Sequence, residues 1–215
     1  MDLITIADPR SPVSEAYRTL RTNLQFSSLD DPTRTLVVTS PAPDEGKSTT
    51  VANLAVTLAQ GGKRTVLVDC DLRRPVLHTL FNLPAEPGLT NLMLEEDGQP
   101  FLQETGVDNL LLLASGPKPP NPADMLGAQK LDKIIESLAS EADIVLFDAP
   151  PVIAVTDAAV LGAKVDGVLL VISAGKTKRD HAQRAKELLE KANVRIIGVA
   201  LTNAPKDSGV GDYYS

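Results

Sequence analysis

The residues of this chain that could do chemistry begin with Gly46-Lys47-Ser48. They follow the β-branched apolar run Thr35 to Thr39, come after a segment containing Pro41 and Pro43, and lead into the Ala- and Leu-rich periodic run Val51 to Ala59. That order reads as strand, turn and helix. Backbone N–H groups of such a turn converge on an anion, and the positive end of the helix dipole adds to the attraction. A lysine placed there reaches β- and γ-phosphates, and the serine hydroxyl binds Mg²⁺. In the G-x-x-x-x-G-K-[ST] pattern of a phosphate loop the first glycine slot is Pro41 here, so only the Gly-Lys-Ser end matches. A Gly-Lys-Ser that merely opens a helix is the plainer alternative, and the flanking strand and helix argue against it. Lys47 is expected on an exposed loop, apart from the core.

Three aspartates extend the pattern. Asp69 and Asp71 close the apolar run Thr65 to Val68, and Asp148 closes Ile144 to Phe147. In an open α/β sheet ligands bind outside the carboxyl ends of the strands, which is where all three belong. Four apolar residues followed by Asp is also the form of a Walker B strand, whose aspartate holds Mg²⁺ directly or through water. Any one of them alone reads equally as a cap or turn residue; three beside a Gly-Lys-Ser loop are harder to dismiss.

The elements that must position these groups follow from periodicity. Helices are expected over 12–27, from Lys47 to the Gly61-Gly62 stop, and over 129–140, 157–164 and 179–192. Strands are expected at 35–39, 65–69, 109–113, 144–148, 167–172 and 195–201. Residues 76–127 carry Pro, Gly and short apolar groups, including a loop with four prolines between Pro117 and Pro122 that leads into a short helix near Asp124. Alternating strands and helices with short connections predict an α/β domain, a mainly parallel central sheet covered by helices on both faces. With 215 residues, 43% of them hydrophobic, one sizeable domain over 1–203 is expected. Residues 204–215 are polar and aperiodic, and read as a flexible tail. That tail nevertheless holds Tyr213 and Tyr214, two of only three tyrosines. Chance placement and a binding or modifying partner explain the pair equally well from the residues alone.

Charge and composition set limits on partners. A net charge of −7 with no long Lys/Arg run argues against nucleic acid and against direct binding to anionic lipid. The single cysteine, Cys70, sits inside an apolar run and reads as a small buried hydrophobe in a reducing compartment. Val168 to Ile172 is among the longest apolar runs, far short of the roughly 20 residues that span a bilayer. A cytoplasmic protein that reaches a membrane only through a partner is therefore expected. Glu15, Arg18 and Arg21 recur at steps of three on the first helix, where a solvated charged face is the ordinary explanation.

Taken together these motifs resemble the bacterial tyrosine kinases (BY-kinases), cytoplasmic P-loop NTPase-like kinases that act in capsule and exopolysaccharide export. The resemblance rests on Glu15-Ala16-Tyr17-Arg18-Thr19-Leu20-Arg21, Ser40-Pro41 to Ser48, Val66 to Pro75 with its Asp69-x-Asp71-Leu72-Arg73-Arg74-Pro75 string, Pro119-Pro120-Asn121-Pro122, Asp148-Ala149-Pro150-Pro151, and the terminal tyrosines. It implies a protein-tyrosine kinase using ATP and Mg²⁺, with nucleotide contacts from Asp44, Glu45, Gly46, Lys47, Ser48, Thr49 and Asn203. Catalytic roles fall to Lys47, Asp69 and Asp71, metal contacts to Ser48, Asp69, Asp71 and Asp148, and phosphoacceptor roles to Tyr213 and Tyr214. Asp69 is the favoured base, with Asp71 in the metal's water shell, although the sequence does not separate the two. Glu15, Arg18 and Arg21 become subunit contacts in a homo-oligomeric ring, an octamer by resemblance. The implied partners are a membrane-embedded polysaccharide copolymerase-type activator and a tyrosine phosphatase. This chain departs from the family pattern in its short tyrosine cluster and in Asp44, which stands where many relatives have glycine. A negative charge there weakens nucleotide binding unless the side chain turns to solvent or caps an N–H. The competing readings are a non-kinase ATPase switch of the cell-division or plasmid-partition type and an adaptor with a structural nucleotide.

Overall fold

A computed structural model describes residues 3–26, 33–95 and 98–204. In chain order the elements are α1 (Ile4–Ala7), α2 (Pro12–Phe26), β1 (Thr35–Thr39), α3 (Lys47–Gln60), β2 (Thr65–Asp69), α4 (Leu77–Phe81), α5 (Leu89–Leu94), β3 (Gln103–Glu104), β4 (Leu110–Leu113), α6 (Pro122–Gly127), α7 (Gln129–Glu141), β5 (Ile144–Asp148), α8 (Asp157–Gly162), β6 (Gly167–Ser173), α9 (Arg179–Lys191) and β7 (Ile196–Thr202). The strands form a 7-stranded sheet in the order β3-β4-β2-β5-β1-β6-β7. All neighbours are parallel except β3 and β4, an antiparallel pair at one edge. The parallel sheet with helices on both faces is as expected. The short elements α1, α4, α5 and β3 are not, because four to six residues, or two in a strand, are too few to display a period.

Alternation along each strand sends successive side chains into two cores. Val37, Val68 and Phe147 face one core, which α7, α8 and α9 cover with Leu138, Leu161 and Leu189. Leu36, Val38, Leu67 and Leu146 face the other, against Leu54 and Leu58 of α3 and Leu20 of α2. Strands buried on both faces are continuously apolar, so β2 and β5 appear in sequence as unbroken runs rather than alternating ones.

The connections position the site. From β1 the chain crosses over β5, by way of α3, to β2; from β5 it crosses over β1, by way of α8, to β6. These crossovers run in opposite directions, and right-handedness puts α3 and α8 on opposite faces. A crevice therefore opens at the carboxyl ends of β1 and β5. Register brings Asp69 of β2 directly opposite Asp148 of β5, and Val38 of β1 opposite Asp148 on its other side.

Candidate functional site

The loop from β1 to α3 is held open by its own side chains. Gly46 precedes α3 at φ 89°, the left-handed region that favours glycine, while a Cβ there would meet Thr202 only at an ordinary contact distance of 3.4 Å. Glu45 is 2% exposed. Its Oε2 accepts the Ala42 N–H at 2.9 Å, its Oε1 accepts the Thr177 hydroxyl at 2.6 Å, and its carbonyl accepts the Thr202 hydroxyl at 2.8 Å. Lys176 donates to the Asp44 carbonyl at 2.6 Å. The Glu45 carboxylate, expected among the nucleotide contacts, is thus turned into the protein as a brace. Asp44 is exposed at φ 58°, in the left-handed region that glycine enters freely. It lines a cavity beside Lys47 and Ser48, so its charge stays next to a bound triphosphate.

Lys47 is not on an exposed loop, contrary to expectation: only 12% of its side chain is accessible, and its ammonium lies 2.7 Å from Asp71 and 3.2 Å from Asp148. It also donates to the Ser48 hydroxyl at 3.1 Å. Burial works against the charge on Lys47, but Asp148 and Asp71 more than offset it and push the pKa up. For Asp148 burial dominates and drives the pKa up, with Lys47 relieving part of the penalty. Asp69 is pushed up to about 8, by burial first and then by the charge of Asp148.

The two carboxylates of the Asp69-x-Asp71 pair differ in access. Asp69 is fully buried; its Oδ2 accepts the N–H groups of Val76 at 3.1 Å and Leu77 at 3.0 Å, and its Oδ1 accepts that of Asp71 at 3.3 Å. It therefore holds the start of α4. Asp71 lines a cavity of about 430 Å³ together with Lys47, Ser48, Thr49, Arg73 and Arg74, and Pro150, Pro151, Ala154 and Val155 form an apolar wall. Arg73 is pinned by Asp157 through bonds of 2.9 and 3.0 Å, which ties this loop to α8. A separate hollow of about 320 Å³ lies among Leu24, Leu36, Leu58 and Ile144, near the amino ends of the strands and away from this chemistry.

Asp148 Oδ2 is buried with no hydrogen-bond partner among the described residues. Asp71 and Asp148 share the single Lys47 ammonium, and their carboxylate oxygens with the Ser48 hydroxyl are the oxygen ligands that a hard divalent cation takes. Among the described residues no three acidic, His or Cys side chains converge to hold a metal by themselves.

Other expected residues lie apart. Asn203, at φ 53°, donates to the Ser173 hydroxyl at 2.9 Å and does not line the cavity. On α2, Glu15 and Arg18 pair with each other at 2.9 Å, while Arg21 donates to the Thr57 carbonyl at 2.7 Å near the end of α3. Arg21 thus already has an intramolecular role. Tyr213 and Tyr214 lie outside the described residues. Thr177, Thr202 and Arg73 were not anticipated as site-building residues. The first two follow or end β6 and β7 at the carboxyl edge of the sheet, so strand-end position was the available signal.

Residues 36–209 match the family described as the CobQ/CobB/MinD/ParA nucleotide binding domain. Tyrosine-protein kinase YwqD of Bacillus subtilis is 42% identical over 99% of this chain and 90% of its own. The kinase domain of Escherichia coli tyrosine kinase ETK is similar in structure, with a TM-score of 0.92 and 31% identity, over 97% of this chain and 82% of that one. The chimerical protein CapA2B2 gives a TM-score of 0.90 at 38% identity, over 95% and 90% of the two chains. Among the described residues no helix is long and apolar enough to cross a membrane.

Proposed function

The chain belongs to the bacterial tyrosine kinases, and from that membership we propose that it transfers the γ-phosphoryl group of Mg·ATP to Tyr213 and Tyr214 of its own C-terminal segment, regulating capsular or exopolysaccharide synthesis and export. The observation that carries the reading is the buried cluster of Lys47, Asp71 and Asp148 at the start of α3, with one carboxylate oxygen left over. Residues 1–203 act as the kinase domain and 204–215 as the acceptor tail.

Phosphoryl transfer passes through a loose transition state, so positioning and charge neutralisation supply most of the catalysis. Lys47 leaves its carboxylates for the phosphates, and the N–H groups of Gly46, Lys47, Ser48 and Thr49 hold the phosphate oxygens. Ser48 and Asp148 would hold Mg²⁺, with Asp69 and Asp71 as further carboxylates nearby, and the ion would supply neutralisation of the phosphate charge. The tyrosine hydroxyl meets Asp71, because a base must first be within reach and Asp71 is the carboxylate that lines the cavity. A second reading gives that proton to Asp69, favoured by its pKa of about 8, close to the working pH of a general base. Asp71→Asn and Asp69→Asn separate the two: the base variant loses phosphotransfer while retaining Mg·ATP affinity.

The protein works in the cytoplasm as a homo-oligomeric ring, an octamer by resemblance, recruited to the inner face of the membrane by a copolymerase-type activator and reset by a tyrosine phosphatase. Phosphotyrosine mapping after incubation with Mg·ATP tests the function. Label on the tail is expected. Phosphate release without label means an ATPase switch, and neither means an adaptor.

A further inference from the structure

We propose that Arg74 selects acceptor tyrosines that adjoin an anionic residue, an inference that rests on the kinase reading above. Three basic side chains line the cavity. Lys47 is held by Asp71 and Asp148, and Arg73 by Asp157. Among the described residues Arg74 alone of the three has a guanidinium with no hydrogen bond or ion pair, and it is exposed. A cation left unpaired at the rim of a site otherwise rich in carboxylates points to an anionic group on the incoming ligand.

The position of that anion follows from how Arg74 is anchored. Its N–H donates to Asp71 Oδ1 at 3.0 Å and to the Asp71 carbonyl at 3.1 Å. The backbone of Arg74 is therefore fixed beside the carboxylate that receives the tyrosine hydroxyl. Arginine and tyrosine side chains are of similar length. With the phenol ring against Pro150 and Pro151 and its hydroxyl at Asp71, the peptide backbone lies one side-chain length out, where an extended Arg74 places its guanidinium. Consecutive Cα atoms are only about 3.8 Å apart, so the group met there belongs to a residue adjacent to the tyrosine.

This chain's own acceptors carry the matching charge: Asp212 directly precedes Tyr213. Tyr214 follows Tyr213, which becomes an anion of about −1.5 to −2 only once it is phosphorylated. Arg74 therefore imposes an order, Tyr213 before Tyr214.

The test is a charge swap in the full chain, comparing wild type, Arg74→Glu, Asp212→Lys and the double variant by initial rates of Mg·ATP-dependent tyrosine phosphorylation. Each single variant is expected to lose about three- to fivefold, the range of a partly exposed ion pair, and the double variant to recover most of it. The outcome is the same whether a tail enters its own site or a neighbour's. Losses that multiply in the double variant overturn the role of Arg74, as does simultaneous appearance of label on both tyrosines in the wild type. If the wild type hydrolyses ATP and labels no tyrosine, the kinase reading itself fails.

Discussion

Lys47 is first of all the counterion of two buried carboxylates. Breaking a buried ion pair from one side leaves the partner carboxylates uncompensated. Lys47→Met is therefore expected to abolish phosphotransfer and also to destabilise the Mg²⁺-free protein by about 2 to 3 kcal/mol, roughly 5–10 °C in Tm for a chain of this size. Calorimetry with and without Mg²⁺ checks this, with part of the loss recovered by the ion. Asp69 supplies a pH signature. Its folded-state pKa of about 8 lies above the ordinary value of 3.8, so the fold favours the protonated carboxyl. The associated stability is complete below the ordinary value and is lost as the pH rises through about 8. In Mg²⁺-free buffer Asp69→Asn should gain on the wild type by a few degrees in Tm between pH 4 and 8, and the difference should stay level above that window. A difference in Tm that does not change with pH would contradict the placement of Asp69.

At the scale of elements, the site is a junction of three strand ends and two helix starts, fastened by a few polar bonds. The bidentate pair between Arg73 and Asp157 fastens the loop after β2 to α8. Asp157 is fully buried, while the arginine is 38% exposed, so solvent discounts part of the pair's value. Arg73→Ala is expected to lower stability by about 1 to 3 kcal/mol by leaving that carboxylate unpaired. Arg73→Lys should recover less than half, because an ammonium cannot reproduce the two-pronged contact. Chemical denaturation of the three proteins at unchanged m-value measures both effects. At the other side of the crevice, Thr202 at the end of β7 holds the Glu45 carbonyl, so the strand from which the tail departs also braces the phosphate loop.

At the scale of the whole molecule, assembly and tail exchange belong together. The Glu15–Arg18 pair stands at the surface of α2, whereas Arg21 also supports the end of α3. Glu15→Ala with Arg18→Ala is therefore the cleaner probe of the proposed ring: sedimentation should show monomers of unchanged helicity, while Arg21→Ala should cost thermal stability as well. Twelve residue steps separate Leu201 from Tyr213, an extended reach of roughly 40 Å at about 3.3 to 3.6 Å each. That reach permits a neighbour's site, and entry there needs no tight reversal, so phosphorylation in trans is expected. Mixing Lys47→Met chains that keep their tyrosines with active chains carrying Tyr213→Phe and Tyr214→Phe should label the Lys47→Met chains. No label on the Lys47→Met chains, while wild-type chains alone label at a rate independent of concentration, would contradict it.

The amino-acid sequence by itself determined the parallel sheet, the phosphate loop and the three strand-end aspartates. These follow from local quantities: continuous apolar runs for strands buried on both faces, glycine where the backbone needs a left-handed turn, and carboxylates at the ends of those runs. What only the tertiary structure decided are the pairings across the crevice. Register, not sequence distance, puts Asp69 opposite Asp148 and draws Lys47 into the cluster. Asp69 and Asp71, two residues apart, look alike in sequence; the turn into α4 encloses one in N–H groups and leaves the other on the cavity. Glu45 sits within the loop motif, and partners distant in sequence, Thr177 on its carboxylate and Thr202 on its carbonyl, make it a brace of that loop. Arg73 and Arg74 are adjacent and chemically identical, and the approach of Asp157 ties Arg73 while Arg74 stays exposed.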